Sequence, residues 1–323
     1  MRHEFSFDEL LSEHAYERAL IVGGVRCHGG FVDERYVSPR TLVRPAAIAS
    51  WQSRLPAGEL AAVLDPINAR IPPHFPNDAQ TRLLVREGVT MPLVRILSLI
   101  AIVEGFGGDV LRSVPVPSLR ERVVEPIDGT ALAHLGALFK AHARDEAGHR
   151  HMWELARDIA LDRPEIPKDL AGAAPPSSAP RLLTEIPADL EALVLRMLGV
   201  LVIEIFAMEA FRWAKAVLGD PELFPRHAEA KMLVEYIQED EAPHVGYLAT
   251  ALAELRCRTL LGTDGAPLPG RSVIDRARDM IVAFQTGPRH QANVEFRIKV
   301  VERYCAAHPR REALLGEFRE LAW

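Results

Sequence analysis

The chain has 323 residues, 48% of them hydrophobic and 25% charged, a composition typical of globular proteins in solution. Its 38 Lys and Arg residues stand against 44 Asp and Glu residues, and the net charge of −6 argues against nucleic acid as the main partner. The three separated cysteines form no disulfide framework, and no apolar stretch reaches the roughly 18 residues of a membrane span, so we expect a cytoplasmic protein with no membrane partner.

In chain order, a mixed N-terminal region precedes a mostly helical remainder. Glycine pairs and β-branched residues over 19–39 predict a short hairpin or an ordered loop, and four prolines within 65–77 predict irregular structure. Hydrophobic periodicity then predicts four long helices, with an exposed Ala/Pro/Ser-rich linker at 171–180 between the second and the third. The four long helices are predicted at 81–112, 130–160, 188–218 and 225–260, and helical patterns resume at 273–306 and 310–322. The expected domains are an N-terminal extension at 1–80, a bundle at 81–260 and a C-terminal helical extension at 261–323.

Two polar patterns recur in the long helices. A lone glutamate followed two residues later by phenylalanine occurs at Glu104 and again at Glu204. The pattern Asp-Glu-Ala-x-His occurs at 145–149 and again at 240–244. The order is the same in both halves, which indicates two related helical hairpins. We therefore predict an all-α fold built on a four-helix bundle with pseudo-twofold symmetry.

The two lone glutamates lie in apolar surroundings. Glu204 is the only charged residue of 197–208, and Glu104 is the only one of 96–108. A helix that is apolar on all sides is buried, and a buried carboxylate is costly unless a cation compensates its charge. Neither glutamate has Lys or Arg one turn away, so the compensation must come from other helices or from a metal ion.

Each Glu-x-x-His pair places its two side chains on one helix face, where they could bind one ion. With the lone glutamates, the pairs complete the ligand pattern of a two-metal site inside a four-helix bundle. Four carboxylates balance the charge of two divalent ions, and mixed oxygen and imidazole ligands suit iron, or manganese as the alternative. The predicted ligands are Glu104, Glu146, His149, Glu204, Glu241 and His244.

An aspartate precedes the glutamate of each repeated motif. Metal-bound imidazoles usually donate their second N–H to a carboxylate, which fixes the orientation of the ring. We expect Asp145 to support His244 and Asp240 to support His149 across the bundle. The alternative is that both aspartates are merely solvated acids beside the motifs.

Over about residues 90–255, these motifs resemble the ferritin-like diiron-carboxylate superfamily. The similarity is to the branch that holds the ribonucleotide reductase small subunit, the bacterial multicomponent monooxygenase hydroxylases, the acyl carrier protein desaturases and the arylamine N-oxygenases. The resemblance implies a ferritin-like bundle that holds two iron ions, or a manganese–iron pair, and activates O₂.

Two residues compete for places in this ligand set. His142 lies four residues before Glu146 and resembles the extra histidine of the arylamine N-oxygenases, although in that family this histidine belongs to the second hairpin. It is either a seventh ligand or a hydrogen-bonded histidine. Glu209 competes with Glu204, but the two face different directions on a helix, and the apolar run and the repeat favour Glu204.

For several aromatic residues and one N-terminal dipeptide, the sequence allows more than one role. Trp153 lies one turn after the first motif, where the reductase small subunit has a tyrosine, and it is either a core residue or an electron relay. The tyrosines Tyr236 and Tyr247 are candidates for supporting roles near the ligands. Cys27 with His28, and Tyr36, could cap the bundle or line an entrance.

The resemblance implies an enzyme that uses O₂ to hydroxylate, N-oxygenate or desaturate a small organic substrate, with electrons from a reductase or a ferredoxin. The extra N- and C-terminal residues could build the substrate pocket, and a homodimer is expected. Ferroxidase or iron-storage activity, peroxide scavenging and a non-enzymatic metal-binding role are the alternatives; the extra sequence disfavours storage, and the lack of a CxxC motif disfavours a rubrerythrin. The residues implied in catalysis are Glu104, Glu204, Asp145, Asp240 and Trp153.

Overall fold

The computed structural model describes residues 4–113, 119–170 and 181–321, and for 106–113 it describes the backbone alone, so the predicted linker at 171–180 lies outside the described residues. The described chain is mostly helical with short strands, in agreement with the predicted all-α class. Its helices are α1 (Phe7–Leu11), α2 (Val43–Gln52), α3 (Glu59–Asn68), α4 (Asp78–Arg86), α5 (Met91–Ser113), α6 (Leu135–Ala160), α7 (Ala188–Leu218), α8 (His227–Arg256), α9 (Gly270–Thr286), α10 (Pro288–Tyr304) and α11 (Arg311–Glu320). Its strands are β1 (Arg18–Val22), β2 (Val25–Val32), β3 (Arg35–Val37), β4 (Thr259–Leu261) and β5 (Pro267–Pro269).

The four long helices α5 to α8 lie at the centre of the molecule. Helix α5 packs along α6, α7 packs along α8, and α6 contacts α8. Helix α7 matches the prediction for 188–218, and it is buried on several sides because α4 and α9 pack against it as well as α8. Within the described ranges, no helix has both the length and the apolar character that crossing a bilayer needs.

Glycine and proline divide two of the predicted helices. The prediction of one helix over 81–112 is wrong, because Gly88 adopts a left-handed backbone (φ 77°) that ends α4, and α5 begins three residues later. The prediction over 273–306 is wrong for a similar reason, since Gly287 and Pro288 separate α9 from α10. The predicted helix 225–260 ends at Arg256, and the chain then turns into strand β4.

The prediction of irregular structure over 65–77 is wrong for its first four residues, which belong to α3. Pro66 lies inside this helix and cannot donate a backbone hydrogen bond to the carbonyl of Ala62. The guanidinium of Arg278 from α9 donates to that carbonyl instead, at 2.6 Å. A tertiary contact therefore supplies the bond that the helix lacks, which the local sequence does not reveal.

The N-terminal region forms a three-stranded antiparallel sheet in the order β1-β2-β3, so the predicted hairpin is present with one additional strand. Strand β2 lies against α6, while α2 and α3 pack against α8. The N-terminal segment thus contacts the two helices that carry the repeated Asp-Glu-Ala-x-His motifs.

Candidate metal centre

Four helices supply the predicted ligands. Helix α5 carries Glu104 and α7 carries Glu204, each on an otherwise apolar stretch. On α6, the spacing of His142, Glu146 and His149 is four residues and then three, which places all three on one face. The Glu-x-x-His pair of α8 consists of Glu241 and His244. All these side chains are buried or nearly so, with Glu104 the most exposed at 11%.

One set of four side chains, here called the first donor group, centres on His149. Its Nδ1 lies 3.2 Å from Glu241 Oε1, 3.8 Å from Glu146 Oε1 and 3.9 Å from Glu104 Oε2. One oxygen or nitrogen atom from each of the four residues falls within 4.8 Å of all the others. Such convergence of buried donors could hold one cation.

A second donor group lies beside the first and consists of His142, Glu146, Glu204 and His244. His142 Nε2 lies 3.0 Å from Glu146 Oε1 and 3.2 Å from Glu204 Oε1, and His244 Nδ1 lies 3.4 Å from the same Glu146 oxygen. His142 therefore lies among the candidate ligands rather than apart from them.

Two carboxylates join the donor groups. Glu146 belongs to both groups through Oε1. Glu241 presents Oε1 to His149 and Oε2 to His244, the latter at 2.7 Å. Each of these glutamates could contact two cations at once, as bridging ligands in a two-metal site do.

Two buried polar atoms in the cluster lack a hydrogen bond. His149 Nδ1 and Glu241 Oε1 lie 3.2 Å apart, and neither has a partner with good hydrogen-bond geometry among the described residues. Buried polar atoms in folded proteins are almost always satisfied. A cation between these two atoms would satisfy both, and the hard oxygen and borderline nitrogen donors fit iron or manganese.

The acidic side chains of the cluster cannot all be charged without compensation. Burial, followed by repulsion from neighbouring carboxylates, raises the pKa of Glu146 and of Glu204 well above the usual glutamate range. Burial also raises the pKa of Glu104. Burial opposes charge on Glu241 too, but His149 and His244 hold its pKa well below the usual range. Two divalent cations would supply the missing positive charge.

The two motif aspartates form the cross-helix pairs that the sequence predicts. His149 donates from Nε2 to Asp240 Oδ2 at 3.3 Å, and His244 donates from Nε2 to Asp145 Oδ2 at 3.2 Å. These bonds leave Nδ1 of each ring facing the carboxylates. Both rings are therefore oriented with one nitrogen toward the centre of the cluster.

The sequence analysis missed the arginines that neutralise Asp145. Arg40 Nη1 lies 2.8 Å from Asp145 Oδ1, and Arg44 Nη2 lies 2.6 Å from Oδ2, with all three side chains buried. Burial alone would raise the pKa of Asp145, but Arg44 and the hydrogen bonds from His244 and His28 hold it well below its usual range. Arg40 lies in the turn before α2 and Arg44 in its first turn, and the sequence around them gives no sign of their partner.

The N-terminal sheet places two further residues against the motifs. Tyr36 donates its hydroxyl to Asp240 Oδ2 at 2.9 Å, and His28 Nε2 lies 3.3 Å from Asp145 Oδ1. The ring of His28 packs directly on the backbone of Gly148, where a Cβ would lie 2.5 Å from His28 Cγ. His28 and Tyr36 thus cap the cluster from the side of β2 and β3.

Two aromatic residues hold individual ligands in place. Trp153 is fully buried and donates from Nε1 to Glu104 Oε1 at 3.1 Å. The Tyr247 hydroxyl is hydrogen-bonded to His142 Nδ1 at 2.9 Å, which leaves Nε2 facing the glutamates. Glu209, the competitor of Glu204, lies outside both donor groups and accepts a hydrogen bond from Arg212 at 2.9 Å.

A cavity of about 720 Å³ reaches the cluster between α3, α7 and α8. Glu241 forms part of its wall, beside apolar side chains that include Ile205, Met208 and Val245. Tyr236 also lines it, and its ring stacks on Tyr36 with 4.1 Å between centroids. The volume falls in the range of pockets that bind small organic molecules.

Comparison of the chain with family models, with curated proteins and with solved structures finds no match. The functional argument therefore depends on the geometry of the site.

Proposed function

We propose that this chain is an O₂-dependent diiron oxidoreductase, a monooxygenase or oxidase, built on a ferritin-like four-helix bundle over 81–260. The observation that carries the proposal is the overlap of the two donor groups at Glu146, with Glu241 facing a histidine of each group. Buried glutamates of a purely structural core would be paired with Arg or Lys instead. In this proposal the segments 1–80 and 261–323 are extensions that cover the bundle.

The charges of the site fit two divalent cations. The buried charges are the four glutamates and two aspartates, six negative charges when ionised, and the two positive charges of Arg40 and Arg44; the Glu13 that also pairs with Arg40 is exposed to solvent. Two divalent cations would balance the remaining four. One ion would be held by the first donor group and the other by the second. Iron ions, or a manganese–iron pair, would supply the electrons and the oxidising power for O₂ chemistry.

The protein side chains orient and isolate this site. Asp145 and Asp240 fix the two motif histidines by accepting their outer N–H groups, and Trp153 fixes Glu104 in the same way. Buried apolar residues of α7 on either side of Glu204 limit the access of water. A dry, oriented site protects reactive oxygen chemistry from side reactions.

The cavity beside Glu241 supports a small organic substrate. Its apolar wall would hold the body of the substrate next to the cluster. Electrons would come from a reductase or a ferredoxin, and the proposal includes a homodimer in the cytoplasm. Iron storage would need no cavity of this size against a candidate ligand, so the cavity favours the oxidation of an organic substrate.

The direct test measures iron content and O₂ consumption together. The full-length chain, loaded anaerobically with Fe²⁺, should retain about two iron ions per chain, as the two donor groups require. With a chemical reductant and a panel of small apolar substrates, it should consume O₂ faster than without substrate. The Glu209→Gln chain is the matched control because Glu209 lies outside the cluster. Assembly into large cages that oxidise Fe²⁺ without any substrate effect would support storage and overturn the proposal.

A further inference from the structure

The two donor groups differ in their own composition. The first donor group has three carboxylates and one imidazole, whereas the second has two carboxylates and two imidazoles. The additional imidazole is that of His142, and the matching position on α8 is the buried Ile237. The pseudo-symmetry of the sequence therefore does not extend to the ligands of each cation.

The residues that surround the two donor groups differ in charge as well. Asp240, behind His149, accepts a hydrogen bond from the neutral hydroxyl of Tyr36. Asp145, behind His244, contacts the guanidinium groups of Arg40 and Arg44. His28 lies nearer to Asp145 (3.3 Å) than to Asp240 (3.8 Å). Two buried positive charges thus lie on the side of the second group.

We propose that the two cation sites are unequal, with the first donor group binding a divalent cation before, and more tightly than, the second. This inference rests on the proposed function, because it requires two cations. When Glu146 and Glu241 are counted for both groups, each group with its aspartate has four carboxylates. Arg44 and Arg40 add buried positive charge beside the second group, and this charge is only partly offset by the exposed Glu13, which pairs with Arg40 at 2.8 Å. Unscreened charges act strongly in a buried site, so a cation is attracted more strongly to the first group.

The donor atoms also imply different preferences between metals. Carboxylate oxygens suit hard ions such as Mn²⁺, whereas imidazole nitrogen suits Zn²⁺ and similar ions. The first donor group therefore discriminates less against Mn²⁺ than the second, which has two imidazoles. In a mixture of metals the two sites fill with different ions.

The test is a titration of the metal-free, full-length chain with Mn²⁺, with free Mn²⁺ followed by electron paramagnetic resonance. Two binding steps are expected, and their dissociation constants should differ by about tenfold or more, the size of effect that groups behind metal ligands produce. Zn²⁺ should then displace the weakly bound Mn²⁺ at a lower concentration than the tightly bound Mn²⁺.

A matched pair of variants assigns the two steps. Glu104→Gln should abolish the tight step and leave the weak step, whereas Glu204→Gln should abolish the weak step and leave the tight one. His142→Gln should weaken the second step alone. This variant keeps the assignment testable if circular dichroism shows that one of the glutamate variants does not fold.

Three results are distinguishable. Two steps of equal affinity, or loss of the tight step in Glu204→Gln, would overturn the inequality and leave the diiron proposal standing. Failure of the parent chain to bind any Mn²⁺, Fe²⁺ or Zn²⁺ would overturn the proposed function and this inference with it.

Discussion

The hairpin of α5 and α6 and the hairpin of α7 and α8 carry matching candidate ligands in different surroundings. In the first hairpin the motif contains Gly148, and His28 packs on its backbone. In the second hairpin the same position is Pro243, and Glu241 beside it borders the cavity. The comparison teaches that β2 packs closely on the first hairpin at Gly148, whereas the second hairpin, although Tyr36 contacts it, borders the cavity that is available to a substrate.

The tryptophans of the two hairpins show the same divergence. Trp153 of α6 donates to the candidate ligand Glu104. Trp213 of α7 donates instead to Thr81 and stacks on His74, with 4.2 Å between ring centroids. The tryptophan of the first hairpin therefore contacts the candidate site, whereas that of the second hairpin contacts α4 and the segment before it.

The largest expected effect comes from the residue that joins the two groups. In Glu146→Gln, binding of both cations should be lost, because Glu146 Oε1 faces His142, His149 and His244. Metal content after desalting should fall from about two ions per chain to near zero. Glu209→Gln should retain both ions. Retention of one ion by Glu146→Gln would show that the two sites do not share this ligand.

The aspartates should differ in their effect on the stability of the metal-free chain. Asp145→Asn leaves the buried Arg44 without a counter-charge and Arg40 with the exposed Glu13 alone, so the free energy of unfolding should fall by about 3–5 kcal/mol. Asp240→Asn removes the partner of the neutral Tyr36, of His149 and of the more distant His28, with no arginine left unpaired, and the loss should be about 1–3 kcal/mol. Urea unfolding measures both losses of stability. Equal losses would contradict the charge asymmetry between the hairpins.

The cover over the first hairpin depends on a glycine. In Gly148→Ala the new Cβ would overlap His28, so stability should fall by about 1–3 kcal/mol. Pro243→Ala, the matched change on α8, restores a helical N–H and should cause no loss. In a His28→Ala chain, where the overlapping ring is absent, Gly148→Ala should cause little further loss. A loss that persists there would place the strain elsewhere.

The smallest expected effect concerns the pH dependence of the region around Trp213. Burial, and then the charge of Arg297, lower the pKa of His74 to about 3. Below its unfolded pKa of about 6.5, the unfolded chain binds a proton that the folded chain does not, so stability falls as the pH decreases from 6.5 toward 3. Because the His74 side chain keeps some contact with solvent, we expect about 1–2 kcal/mol between pH 7 and pH 5.

The measurement compares urea unfolding of the parent chain and of His74→Gln at both pH values. The acidic residues of the cluster titrate in both proteins, so the difference between them isolates His74. An identical pH dependence in the two proteins would show that His74 is protonated as easily in the folded chain as in the unfolded one.

The sequence predicts the local features of the site and misses those that depend on distant parts of the chain. Glu104, Glu204 and the motif residues could be found because a lone acid in an apolar helix is visible within one turn, and repetition excludes chance. Arg40 and Arg44 could not, because nothing near them in the sequence indicates that they face Asp145, 105 residues beyond Arg40. The hydrogen bond from Trp153 to Glu104 likewise joins two helices, and the sequence around Trp153 does not predict it.

Helix boundaries illustrate the same limit. Periodicity continues across Gly88 and across Gly287, so the pattern predicts one helix where the structure has two. In α3 the reverse occurs, since Pro66 suggests a break and Arg278 removes the need for it. Periodicity reports which face is apolar, whereas the ends of an element depend on single residues and their tertiary partners.

The bond between Tyr36 and Asp240 joins positions 204 residues apart. On the ribosome, β3 is synthesised long before α8 exists, so the tyrosine hydroxyl stays hydrated until α8 has been synthesised. Contacts across such a separation form slowly because closing a long loop costs entropy. We therefore expect the three-stranded sheet to pack against α8 late in folding, so that the buried acidic cluster stays open to solvent until then.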